Sequence, residues 1–269
     1  MNNNFIFKKF SQIEAKYSQS IRIHEIDPLN AQIGFGVADK YWKNQPYEGG
    51  CKVHKLLFRS KKIISSYCFD CIKIEIHPQT VLDFFKLMFM FDSLDLKDNN
   101  HRKLWLRPRK ELEVNYSGTL YFRSIAEAKK SAQKLNEIIK KEINTNIPLI
   151  VKRGCSEFNN LINNYHDINE SYNSLVNDKK TWEKIEFEFK KSDEPGLIKP
   201  RPWSVYPEIE NFTEYHLNIM YSWLAFAKLI GDDSYLKVTS RDWNFLSHSL
   251  SRSYQAYFLN KPINNFAIF

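Results

Sequence analysis

Long apolar runs are missing from this chain. The two most apolar stretches, Val81 to Phe91 and Tyr221 to Gly231, are broken by lysines. Both fall short of the roughly 18 residues that a membrane span requires. Glycine and proline are scarce as well, 8 and 10 in 269 residues, which argues against collagen-like or loop-dominated architectures. Only four cysteines occur. The opening Met1-Asn2-Asn3-Asn4-Phe5 lacks the charged-then-apolar pattern of an export signal. A disulfide framework is therefore not expected, and metal, redox or inert core roles remain for the thiols. P-loop, G-x-G-x-x-G, G-x-S-x-G and H-E-x-x-H motifs are all lacking. These absences lead us to expect a soluble, cytoplasmic protein with no membrane role.

What is present suits a folded chain. Hydrophobic residues make up 43% and aromatic residues 15%, which is globular rather than disordered composition. A chain of this size buries roughly 70–75% of its unfolded surface and needs no disulfide staples. Lysine and arginine number 39 against 31 acidic residues, a net charge of +8. That balance suits a polyanion partner such as nucleic acid.

Three cysteines and a histidine fall within residues 51–71. Cys51-Lys52-Val53-His54, thirteen residues and Cys68-Phe69-Asp70-Cys71 read as C-x2-H-x13-C-x2-C. Two ligand pairs, each two residues apart and joined by a hairpin-length spacer, match the needs of a tetrahedral Zn²⁺ site. Cys51, His54, Cys68 and Cys71 are the expected ligands. The short apolar runs Leu56-Leu57-Phe58 and Ile63-Ile64, around Arg59-Ser60-Lys61-Lys62, suggest that the spacer is a β-hairpin. Cys155 stands as an alternative to His54 for the fourth position. Four protein ligands make such an ion structural. The competing reading is that these are ordinary core cysteines.

After Cys71 the pattern sharpens. Ile72, Ile74 and Ile76 alternate with Lys73, Glu75 and His77, a strand with one buried face. Residues 81–91 follow as a helix that is apolar nearly all round, which requires cover on both sides. Residues 103–107 and 119–123 read as strands. Ser124-Ile125-Ala126-Glu127 is a capping box that opens an amphipathic helix ending near Asn144, and residues 149–151 form a last strand. The order strand, helix, strand, strand, helix, strand is the split βαββαβ arrangement of ferredoxin-like domains. The fold class expected is α+β. An N-terminal arm (1–50), read as strand-bearing from the alternation of Ile21, Ile23 and Ile26, and the zinc hairpin (51–71) precede the ferredoxin-like domain (72–154). A mainly helical subdomain (155–269) follows, with helices near 213–230 and 240–258.

If both helices of that domain cover one face of the sheet, the other face carries cations interleaved with rings. Lys73, Lys103, Trp105, Arg107, Tyr121, Arg123 and Lys152 form one patch, extended by Arg109 and Arg153. Cations contact phosphates and rings stack bases. The leading expectation is a zinc-stabilised nucleic-acid-binding protein, with RNA preferred over DNA. Two alternatives belong to other classes. One is a transferase-like enzyme with its site between the ferredoxin-like and helical parts. The other is an adaptor that docks a protein partner on aromatic-rich helices.

Overall fold

The computed structural model describes residues 1–24, 40–43, 50–96, 100–107, 114–192 and 212–242. It is a mixed α+β structure. The helices are α1 (Asn3–His24), α2 (Gly50–Lys61), α3 (Ser66–Phe69), α4 (Val81–Ser93), α5 (Ile125–Glu142), α6 (Tyr172–Leu175), α7 (Lys179–Ser192), α8 (Glu214–Ile230) and α9 (Tyr235–Thr239). The strands are β1 (Lys40–Lys43), β2 (Ile72–Ile76), β3 (Arg102–Leu106), β4 (Tyr116–Phe122) and β5 (Leu149–Arg153). They form one sheet in the order β1-β3-β4-β2-β5. Every neighbouring pair is antiparallel.

The core grows from α4. Thr80 caps the helix by accepting from the Asp83 amide at 3.1 Å, and every residue from Val81 to Phe91 is buried. On its inner side α4 lies directly against β4 at Gly118. A Cβ there would stand 2.7 Å from Leu87 Cδ2 and 3.0 Å from Leu104 Cδ2, so this close approach requires glycine. Beside α4, α5 covers the rest of the same sheet side with Ala128, Ala132, Leu135 and Ile139. On the outer side of α4, the Trp223 ring of α8 stands 4.1 Å from Phe84 and 5.9 Å from Phe85. Phe10 of α1 meets Phe85 edge-on at 6.0 Å. The expected two-sided cover of α4 is thus supplied by the sheet within and by α1 and α8 without.

Gly231 ends α8 in the left-handed conformation that favours glycine, φ 79°. It delivers Asp232, whose carboxylate accepts from the Val81 amide at 2.6 Å and from the Tyr116 hydroxyl at 2.7 Å. One side chain from the C-terminal part thereby ties the start of α4 to β4.

Three expectations change. Residues 51–71 hold no hairpin: α2 and α3 stand there instead. His54, Leu57, Phe58 and Lys61 recur at helical spacing, and no glycine, proline or asparagine offers a hairpin turn. The break comes at Lys62, in the left-handed region with φ 56°. The strand of the N-terminal arm is β1, whereas Ile21 and Ile23 belong to α1 and Ile26 lies outside the described residues. The helix expected near 213–230 is α8. In the one expected near 240–258, residues 240–242 are not helical and the remainder lies outside the described residues.

Trp223→Ala removes a fully buried ring from the contact between α4 and α8. It should lower unfolding stability by about 3–5 kcal/mol, read from urea denaturation midpoints.

Candidate functional site

The side of the sheet away from α4 and α5 is polar. In the strand register Lys73 lies between Tyr121 and Lys152, and Glu75 lies between Thr119 and Ile150. Lys103 is opposite Thr119, and Trp105 is opposite Ser117. At the centre is Glu75, which is buried. Its carboxylate meets Lys152 Nζ at 2.7 Å, Lys73 Nζ at 2.9 Å and His77 Nε2 at 3.5 Å. Burial pushes this carboxyl up. The hydrogen bond from His77 and the charges of Lys73 and Lys152 outweigh it and hold the group well below the usual carboxylate range.

Towards β3 and β4 the face becomes aromatic. Lys103 Nζ sits 4.2 Å from the centre of the Trp105 ring and 5.7 Å from that of Tyr121. The His101 ring lies 4.9 Å from Tyr121. Burial, aided by the Lys103 charge, pushes the imidazole down to about 3, so it is neutral at physiological pH. Trp105, Arg107 and Tyr121 are half-buried and Arg123 is exposed. The Arg123 guanidinium lies 3.4 Å over the Tyr67 ring and donates to the Tyr67 carbonyl at 3.2 Å. The described C-terminal helices α8 and α9 pack on α1 and α4, on the other side of the sheet. Seven of the nine expected contact residues therefore share the polar face: Lys73, Lys103, Trp105, Arg107, Tyr121, Arg123 and Lys152.

Arg153 is a correction. It pairs with Ile72 across the strands, and alternation turns it to the side opposite Lys152. There it is 2% exposed. It donates to the carbonyls of Phe69 at 2.9 Å, Tyr165 at 2.9 Å and Asp167 at 2.8 Å, and also to that of Glu170. It organises the loop after β5 and is not available to a phosphate. Arg109 lies outside the described residues. Arg102, the first residue of β3, is likewise buried and donates to the carbonyls of Phe91 and Leu94 at the end of α4 and to that of Asn100.

The chain matches no protein-family model, no curated protein and no solved structure.

The metal ligands expected from spacing are placed as follows. Cys51 is in the first turn of α2, and its side chain lies outside the described residues. His54 follows three residues later and is buried. Cys68 is buried in α3, and Cys71 is half-buried at the start of β2. His54, Cys68 and Cys71 line one small cavity, and Cys155 joins them there. Among the described residues no three His, Cys, Asp or Glu side chains are already drawn into a ligand set. Beside the cavity Lys55 pairs with Glu157 at 3.1 Å. Burial pushes the Glu157 carboxyl up, but Lys55, with a smaller contribution from Lys73, brings it below its ordinary value. The cysteine cavity and the polar face are thus electrostatic neighbours. Sequence spacing found the cysteines, but the role of Glu75 was carried only by its place in the outward alternation between Lys73 and His77.

Glu75 makes acid stability testable. A carboxylate whose folded pKa is depressed contributes stability that is present above its unfolded pKa and is lost as pH falls. The Glu75 contribution to stability should therefore persist down to roughly pH 5 and be lost as pH falls below about 4, through the ordinary glutamate range and on towards its depressed pKa. Glu75→Gln, less stable at neutral pH because two lysines lose their partner, should show a shallower acid limb. Urea midpoints across that range check both points.

Proposed function

We propose that the polar sheet face binds nucleic acid, with single-stranded RNA preferred over DNA. The observation that carries this reading is Lys103 over Trp105 and Tyr121, on a face that also holds Arg107, Arg123, Lys73 and Lys152. Cations set among half-buried rings meet the two demands of a single strand, which presents phosphates and unstacked bases together. The net charge of +8 agrees with a polyanion partner. The frame under the face supports the reading too. Its chain order β2-α4-β3-β4-α5-β5 and strand order β3-β4-β2-β5 fit the ferredoxin-like arrangement that this reading calls for, in which both helices keep to one side of the sheet.

The residues have separable roles in this reading. Lys73 and Lys152 are held by Glu75, so together the three supply one net positive charge fixed in place. Lys103, Arg107 and Arg123 supply charge near the rings. Trp105 offers the stacking surface, and Tyr121 extends it.

Fluorescence anisotropy with labelled oligouridylate, read across a salt series, tests the proposal. Affinity should fall steeply with salt. Lys103→Ala, Arg107→Ala and Arg123→Ala should each reduce the log–log slope by about 0.7. Trp105→Ala should cost about 1–3 kcal/mol of binding with little change of slope. Absence of salt-dependent binding, or unchanged affinity in Trp105→Ala and in all three cation variants, rejects the interface.

A further inference from the structure

Three of the four cysteines, distant in sequence, meet around a single cavity. Cys68 and Cys71 flank the turn that ends α3 and enters β2, with the Cys71 amide donating to the Cys68 carbonyl at 3.3 Å. Cys155 follows β5. The two segments are bound together there, since the Gly154 amide donates to the Cys71 carbonyl at 2.8 Å. A Cβ on Gly154 would lie 3.6 Å from Cys71 Sγ, so the thiol packs directly on that glycine. His54 reaches the same cavity from α2, and Phe158 and Tyr165 help to enclose it. The cavity measures about 20 Å³, room for about one water-sized body.

Two independent observations converge on this place. The spacing of Cys51, His54, Cys68 and Cys71 has the form of paired metal ligands, and folding adds a fourth cysteine that the spacing does not contain. Tyr165 lines the same cavity as the thiols. Its hydroxyl donates to the Cys68 carbonyl at 2.7 Å.

We propose that Cys68, Cys71 and Cys155, with one donor from α2, hold a single structural Zn²⁺ ion. The α2 donor is His54, which lines the cavity, or Cys51, one helical turn earlier. Soft thiolates select zinc, copper(I) or iron–sulfur clusters, and four protein donors around one ion are the structural zinc pattern. Loading breaks the S–H bond of each ligating cysteine, forms an S–Zn bond and releases the proton to solvent. The side chains surround the cavity without meeting at a point, so Zn–S bonds of about 2.3 Å draw the walls inward. They would join α2, α3 and the segment after β5 around the small core of Ile64, Phe69, Phe158, Tyr165 and Val176. This core is separate from the one around α4.

The test is metal analysis of the full chain purified from zinc-replete cells, followed by replacement of the metal with Co²⁺. One zinc per chain and a thiolate-to-cobalt charge-transfer band are expected, and a chelator should lower the melting temperature. Cys155→Ser should lose stoichiometric zinc, and so should one of His54→Ala and Cys51→Ser. Metal-free wild-type protein that gives no charge-transfer band on cobalt addition overturns the proposal, and iron in place of zinc overturns the choice of ion. Full zinc in Cys155→Ser removes Cys155 from the site, and full zinc in both α2 variants removes the α2 donor. Where a variant fails to fold, the wild-type cobalt spectrum and the chelator response decide.

Discussion

A helix that is apolar on every side has no stable place at a surface, and the arrangement of this protein follows from that constraint. From Val81 to Phe91 α4 offers no polar stripe to water, and even Asp83 and Lys86 are buried with it, 3.8 Å apart. One side rests on the sheet, where Gly118 lets it approach β4 closely. The other needs a further layer, which α1 and α8 provide from opposite ends of the chain. Burial of side chains such as Phe84, Phe85 and Trp223 contributes about 1.5–3 kcal/mol each before packing is counted. With the apolar layers stacked on that side, the remaining sheet face is the one that retains lysines, Glu75, His77 and half-exposed rings. The location of the polar face is a consequence of where α4 must go.

The same stacking creates chain ends that need partners, and three charged side chains meet that need. Arg102 occupies the carbonyls at the end of α4, and Asp232 accepts from its first amide. Arg153 gathers the carbonyls of Phe69, Tyr165, Asp167 and Glu170. A guanidinium with five donors suits groups of unsatisfied carbonyls, and leaving such groups unpaired in the interior is costly. These arginines show why a tally of basic residues overstates a binding surface. Lys152 and Arg153 are adjacent in sequence, yet one faces the polar side and the other is 2% exposed.

Much of the sheet and of α4, α5 and α8 was legible, because period-two alternation, a capping box and an all-round apolar run are local signals. Seven of the polar-face residues were legible for the same reason, since alternation assigns a face once a strand is recognised. The segment from Cys51 to Cys71 reads as a hairpin from its short apolar runs but folds as α2 and α3. Its apolar residues are few enough to fit two periods, and helical spacing of His54, Leu57 and Phe58 was the better guide. The inward turn of Arg153 was present in the alternation of β5, although its carbonyl partners come from a loop with no pattern of its own. The joining of Cys155 to Cys68 and Cys71 depends on β5 pairing with β2, a contact between segments about eighty residues apart. No local spacing encodes that.

That pairing also ties the two regions of interest to each other. Cys71 leads directly into β2, and Cys155 stands two residues beyond the end of β5. Two positions after Cys71 is Lys73, and three positions before Cys155 is its register neighbour Lys152; these are the two cations clamped on Glu75. Whatever fixes the cysteine end of β2 and β5 therefore fixes the separation of those lysines. The Glu75 pair distances are sensitive to that separation, because attraction at close range within a buried site changes steeply with distance. Lys73 extends the connection through its charge on Glu157, which is itself paired with Lys55 on α2. Disturbance at the cysteine cavity should thus reach the polar face along two strands and one line of charges, with no hinge required. Tyr121, on β4, stands directly opposite Lys73, and Trp105 lies one strand further, on β3. Their placement rests on β3 and β4, and so on α4 beneath them.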